Sequence, residues 1–393
     1  MEKGRLQELL KADPIISLAR PELLASPYPA YRWLLENQPV FWYEPLGSWV
    51  VTRHADCMRV LRDNGRFAAD WRKVGERRPP GAASIQTLDP PEHTVIRRLM
   101  VDALRIRSAA QVERLVAEEA DALLTRLAGR TSFDLVRDFA QPLALSTITE
   151  FLGSARLEEG WFIPLADKVA AGMDAGLWPE RMEPARQARA DLAPVLGDWL
   201  ARPERPGVVR YLAEHMPEDE VERAVVTKTL AVLLLAGYSS SSMLLAQAIL
   251  NLLEGPTGLG ALPAADPARA VDELIRYVTP VQAMARACVA DTDLGGMTVR
   301  AGQAVTLLLG AADHDPARFP EPDVILLDRH PNPHLGLGRG AHSCLGAAFA
   351  AIQARTVLYL LAARYPAARA VGTPTYRPNL TLRTLEKFEV ALR

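Results

Sequence analysis

One cysteine stands out by its neighbours. Residues 334–350 read His-Leu-Gly-Leu-Gly-Arg-Gly-Ala-His-Ser-Cys-Leu-Gly-Ala-Ala-Phe-Ala, with Gly336, Gly338 and Gly340 alternating ahead of Cys344. Alternating glycines suit a tight loop with unusual backbone angles. Such a loop aims backbone N–H groups at a sulfur, and an alanine-rich helical pattern begins directly after it. The loop amides and the positive helix end both favour thiolate over thiol. Gly346 leaves space for a flat group lying against the helix start. A thiolate held this way is a good axial ligand for haem iron. The bland alternative is a buried structural cysteine ahead of a helix. It does not account for the spaced glycines, for His342 two residues before, or for Gly346 two residues after.

The stretch resembles the haem-binding loop of the cytochrome P-450 superfamily, Phe-Gly-x-Gly-x-His-x-Cys-x-Gly. It matches from Gly338 to Gly346 and departs where Leu337 replaces phenylalanine. Other stretches match the family's motifs in their expected order, so the resemblance covers almost the whole chain. Glu273-Leu274-Ile275-Arg276 places a carboxylate and a guanidinium on one helical face. Alone, such a pair is usually a solvated surface feature. The resemblance implies that Glu273 and Arg276 are buried with Arg329 and brace the proximal haem face. Haem carries two propionates that need cationic partners. The resemblance supplies His93 and Arg97 from Glu-His-Thr-Val-Ile-Arg, Arg286 from Pro-Val-x-x-x-x-Arg, and His342 from the cysteine loop. Gly338, Gly340, Gly346 and Ala236 complete the haem-contacting set, with Cys344 as the metal ligand. Arg98 is expected to face solvent or a redox partner.

Residues 236–242 read Ala-Gly-Tyr-Ser-Ser-Ser-Ser inside the longest helical pattern. The family carries Ala/Gly-Gly-x-Asp/Glu-Thr-Thr/Ser there, at the oxygen site. Ala236 and Gly237 match, leaving room for haem and dioxygen. Ser239 stands in place of the acid and Ser240 in place of threonine. Serines within a helix tend to bond back to carbonyls one turn earlier. That is the expectation for Ser241 and Ser242, whereas Ser239, Ser240 and Gly237 are taken as the catalytic group. The expected pocket walls include Trp71, Ile85, Val232, Leu235, Val281, Met284 and Leu385, with Trp178 in a lid turn. Arg72, Lys73, Arg77 and Arg78 make the loop beside Trp71 basic. They are read as solvated loop charge or as an anchor for an anionic substrate.

The chain has 393 residues, 49% of them hydrophobic, with a formal net charge of −2. It is long enough for a sizeable core, and near-neutral charge argues against general nucleic-acid binding. Its three cysteines form no disulfide or zinc pattern. The first residues lack the apolar stretch of a secretion signal, and the apolar run at 230–237 is too short to cross a bilayer. Periodicity predicts a hairpin over 39–52, a loop over 66–84 and helices over 55–64, 89–104, 109–127 and 138–152. It further predicts helix over 160–201 with a break at 175–179, over 218–253 and 268–277, and from the cysteine loop to 364. Short strands are expected after Pro280 and over 382–392.

The resemblance implies one mainly α domain over residues 1–393, with small sheets and the cytochrome P-450 fold. It implies b-type haem (iron protoporphyrin IX), dioxygen as co-substrate, and electrons from NAD(P)H through a separate ferredoxin and ferredoxin reductase. The expected reaction is hydroxylation, or oxidative ring formation or coupling, of a small organic molecule in bacterial natural-product tailoring. A carrier protein bearing the substrate is a further candidate partner; membrane and nucleic acid are not, and the expected location is cytoplasmic. Two alternatives stay open. The loss of the acid suits a haem-thiolate enzyme using peroxide or nitric oxide, and a non-catalytic haem sensor is the other.

Overall fold

The computed structural model describes residues 3–392 apart from Pro80 and Thr257; Met1, Glu2 and Arg393 also lie outside the described residues. Its centre is the Glu220–Glu254 helix of 35 residues, about 50 Å long at 1.5 Å per residue. Asp219 starts it by accepting the Glu222 N–H at 2.9 Å, and no proline interrupts it. The helices Ala109–Leu127, Gln141–Leu152, Pro267–Val278 and Ala347–Arg364 contribute with it to one large apolar core. The long helix is apolar and long enough to cross a membrane by length and composition, with 56% of its most apolar window buried inside the protein. The run at 230–237 therefore underrepresented its apolar length. The surrounding helices supply the apolar surroundings.

Three small sheets flank the helices. The largest runs Val40–Tyr43, Ser48–Val51, Ala304–Leu308, Ala283–Cys288, Phe67–Ala68. The first two form the expected hairpin, in register Val40↔Val51 to Tyr43↔Ser48. Ser48–Val51 pairs in parallel with Ala304–Leu308, and the remaining pairs in this sheet are antiparallel. The second sheet sets Leu385–Ala391 between Phe133–Asp134 and Arg369–Tyr376. The third is the hairpin of Thr292–Leu294 and Met297–Val299, turning at Gly295-Gly296.

The helical expectations over 55–64, 89–104, 109–127, 160–201, 218–253 and 268–277 correspond to observed helices within a few residues at each end. The 138–152 helix is preceded by a wider π turn at Leu135–Ala140. The 66–84 loop is corrected. Its start, Phe67–Ala68, is a strand whose Phe67 is buried in the smaller core, and Trp71–Val74 forms a short 3-10 helix.

Candidate active site

The cysteine loop is tied down at its start. Asp313, fully buried, accepts the N–H of Leu335 at 2.6 Å and the hydroxyl of Thr279 at 2.9 Å. The loop then closes on itself through Gly338 N–H to Leu335 O at 2.7 Å and Cys344 N–H to Leu337 O at 2.8 Å. Gly340 sits at φ +75°, and a Cβ there would collide with the backbone of Leu61. No L-residue fits, because the conformation and the close approach both exclude a side chain. Gly346 meets nothing within 4 Å, so this face of the helix start is open. Cys344 is exposed, whereas Cys57 and Cys288 are buried. Partial burial pushes the Cys344 thiol up, while the N–H of Gly346 and the Arg97 guanidinium pull it back down. Protein groups alone thus leave it a thiol more often than the loop pattern implied. A metal ion is what completes the conversion to thiolate.

Cations gather on the side of Cys344 facing the Glu92–Leu104 helix. Arg97 donates to Ser343 O at 3.0 Å and to Ser343 Oγ at 3.1 Å. The His93 and His342 rings lie 4.4 Å apart. His342 Nε2 meets Asp89 Oδ1 at 3.0 Å. His93 Nε2 is buried with no hydrogen-bond partner among the described residues, and burial together with His342 and Arg97 pushes its pKa down to about 4. Arg286 is buried, gives one N–H to Ala285 O at 2.8 Å, and makes no ion pair among the described residues. Asp89 is the nearby carboxylate, and it already serves His342, Lys73 and the N–H groups of Ala69 and Asp70. Buried guanidinium without a counter-charge costs several kcal/mol. An orphaned imidazole nitrogen, a buried arginine lacking an acid and an open thiol beside a side-chain-free helix start fit a flat dianionic group with a thiolate-seeking metal. The residues present therefore suit haem.

Behind the loop, Glu273 binds two guanidiniums. Arg276 reaches it at 2.8 and 2.9 Å, Arg329 at 2.9 Å, and Asn332 Nδ2 at 3.2 Å. The Leu326 N–H adds a bond at 2.9 Å. Arg276 also caps the carbonyls of Asp313 and Pro322, both at 2.8 Å. Arg329 caps those of Pro320 and Glu321 at 2.7 and 3.2 Å. The side chains of Glu273 and Arg276 are completely buried. The network joins the Pro267–Val278 helix to the 313–329 segment that leads into the cysteine loop.

Along the long helix, Ala236 is exposed and Val232, Leu235, Ser239 and Ser240 are half-buried, while residues 241–250 are buried throughout. Gly237 is corrected. A Cβ there would sit 2.7 Å from Ile148 Cδ1, so its small size serves packing against the Gln141–Leu152 helix. Of the serines, Ser240 and Ser241 are corrected, while Ser242 bonds back as expected. Ser240 Oγ donates back to Ala236 O at 2.7 Å and Ser242 Oγ to Ser239 O at 3.0 Å, whereas Ser241 makes no such bond. Ser239 lines a small cavity of mixed polar and apolar walls that also touches Leu385. Of the other expected pocket residues, Ile85 is buried in the main core with its N–H on Thr229 Oγ1, and Val281 bridges to Leu382. Trp71 and Met284 are half-buried. Trp178 lies beneath the Arg181 guanidinium at 4.1 Å, in the turn between the helices Glu159–Ala171 and Met182–Ala201.

The basic loop is mostly paired internally. Arg72 meets Asp70 and Glu92, Lys73 meets Asp89, and Arg78 meets Glu76. Arg77 is exposed with no ion pair among the described residues. Lys73→Ala is expected to lower the unfolding free energy measured in urea by about 1 kcal/mol, since it strips a partner from buried Asp89, and Arg77→Ala to leave it unchanged. Equal effects would show that these pairs are idle. Arg98 is exposed, beside Thr94, Val95, Leu99 and Asp102 in an open surface hollow.

Sequence reasoning missed Asp89, Asp313 and Thr279 as supports. Their partners lie far along the chain, and no local pattern marks them.

The family model described as Cytochrome P450 matches residues 268–368, which span the Glu273 network and the cysteine loop. Nocardicin C N-oxygenase of Nocardia uniformis subsp. tsuyamanensis is 32% identical over 366 residues, 89% of this chain and 91% of that one. The ligand-free crystal structure of CYP164A2 from Mycobacterium smegmatis superposes with a TM-score of 0.84 at 32% identity, covering 98% of this chain and all of the other. P450BioI, solved with an acyl carrier protein bearing hexadec-9Z-enoic acid, gives 0.79 at 28%, covering 95% and 100%. Likeness of that degree along nearly the full length, with the motif positions converging on one cysteine, makes this chain a member of the cytochrome P450 family and an oxidoreductase of the monooxygenase type.

Proposed function

We propose that the chain holds b-type haem on Cys344 and oxidises a small, largely apolar organic molecule. The observation that carries the reading is the open sulfur of Cys344 beside half-buried Arg97 and buried Arg286, neither of which has an acidic partner among the described residues. His93, Arg97, Arg286 and His342 would receive the propionates. His93, whose Nε2 is buried without a hydrogen-bond partner among the described residues, would give them an N–H. When bound, haem would supply dioxygen activation, and the Cys344 thiolate would lend it electron density. The exposed and half-buried stretch Val232, Leu235 and Ala236 would orient the substrate, with Val281 and Met284 contributing from the strand side. Their apolar surface selects carbon skeletons over ions. Glu273, Arg276 and Arg329 would keep the loop rigid.

Electrons come from NAD(P)H through a ferredoxin and its reductase, and the product is a tailored natural product. The N-oxygenase and carrier-bound relatives support that setting. A carrier-delivered substrate is the less favoured form, because most of the cations of the 71–78 loop are already paired within the chain. A second reading, with peroxide as the oxidant, is favoured by Ser239 alone. The test is turnover of a compound that shifts the haem from low to high spin. NADH with ferredoxin and reductase should give product, and peroxide alone should give little. Product from peroxide alone at equal rate would overturn the reductase-driven reading.

A further inference from the structure

The acid missing from position 239 has a counterpart in space. We propose that Asp167, on the Glu159–Ala171 helix, supplies protons to the oxygen side of the site through one water and Ser239. The proposal rests on the dioxygen-using reading above. Asp167, Gln141, Tyr238, Ser239, Ser242 and Thr384 line one cavity of about 20 Å³, room for about one water with several polar partners. The Ser239 hydroxyl makes no hydrogen bond to the described residues, in contrast to its neighbours Ser240 and Ser242. Tyr238 Oη is buried and equally without a partner among the described residues, and burial with the charge of Asp167 keeps it protonated. Two unpartnered hydroxyls and one carboxylate lining the same water-sized space are the parts of a relay.

The far end of the relay reaches solvent. Asp167 pairs with Arg377 at 2.6 Å, and their side chains are 25% and 27% exposed. Arg377 Nε also lies 3.7 Å from Glu386. A swing of the guanidinium toward Glu386 releases Asp167 to take a proton from bulk. Asp167 then gives that proton to the cavity water. The water passes one of its own to Ser239 Oγ, and the hydroxyl's original proton moves toward the site. Each turn consumes one bulk proton and returns every relay member to its starting state. Serine alone relays but does not store a proton, so the carboxylate is the necessary part.

The experiment compares Asp167→Asn, Asp167→Glu and Ser239→Ala, each loaded with haem and assayed with NADH, ferredoxin and reductase. Asp167→Asn should keep the carbon monoxide spectrum of a haem thiolate and the substrate-induced spin shift. Its product per NADH should fall roughly a hundredfold, the low end for acid catalysis, with peroxide released instead. Asp167→Glu should recover most of the coupling. Ser239→Ala leaves the ion pair intact and should give the same loss. Independently of turnover, the infrared carboxyl band that disappears in Asp167→Asn should shift in Ser239→Ala. Wild-type coupling in both Asp167→Asn and Ser239→Ala, or a carboxyl band indifferent to Ser239, would overturn the proposal. A wild-type protein lacking the haem-thiolate spectrum would overturn the underlying reading instead.

Discussion

Cys344→Ala is expected to abolish the red-shifted carbon monoxide band of the reduced protein, while Cys57→Ala and Cys288→Ala retain it. The three thiols differ in access and in electrostatics. Cys57 and Cys288 are buried, and burial raises both thiols, so neither presents a thiolate to a metal. Cys57 donates instead to Val51 O at 3.5 Å and Cys288 to Ala290 O at 3.1 Å. Burial raises the Cys344 thiol too, but its sulfur is open to a ligand, and the Gly346 N–H and Arg97 offset part of that rise. A second readout needs no carbon monoxide. In haem-free protein an alkylating reagent should modify Cys344 and spare the other two, and haem loading should protect it. Retention of the red-shifted band in Cys344→Ala, or protection of a different cysteine, would remove Cys344 as the ligand.

The parts of this site visible in the sequence are those whose causes are local. The cysteine loop is legible because glycines at 338 and 340 and the helix start at 347 are consecutive in the chain. The Ala109–Leu127 helix is legible because Ser108 and Gln111 form a capping box at its first turn. The strand Phe67–Ala68 was not, because its partner is Ala287–Cys288, more than two hundred residues away. The strand Arg369–Tyr376 contains Gly372 and Pro374, residues that argue against a strand. It is tolerated because it lies at a sheet edge and bends through register shifts. The serine run shows the limit most sharply. Residue type placed hydroxyls at 239–242, but helical rotation decides which bond back and which face a cavity. The carboxylate opposite Ser239 belongs to another helix, and no spacing rule connects Asp167 to it.

Glu273→Gln is expected to cost about 3–5 kcal/mol, the range for breaking a buried ion pair by removing one partner. That is a large share of the roughly 5–15 kcal/mol that holds a domain folded. The neutral amide keeps the shape but leaves Arg276, completely buried, and Arg329, 6% exposed, without the carboxylate they share. Two guanidiniums are stranded by one substitution, which places the cost toward the upper end. Arg329→Ala should cost less, because Arg276 still satisfies Glu273 through both carboxylate oxygens. Replacing all three by Leu or Met of similar volume should cost less than Glu273→Gln if desolvation dominates. The carbonyls of Asp313, Pro320 and Pro322 would lose their donors in that variant, however, and so it should not reach wild-type stability. Urea unfolding midpoints order the variants. A haem-binding titration separates stability from site geometry, because loosening the 313–329 segment also frees the Asp313–Leu335 bond that anchors the loop. If Glu273→Gln unfolds within about 1 kcal/mol of wild type and binds haem with unchanged affinity, the buried network does not brace the loop, and the burial of its charges has some other physical cause.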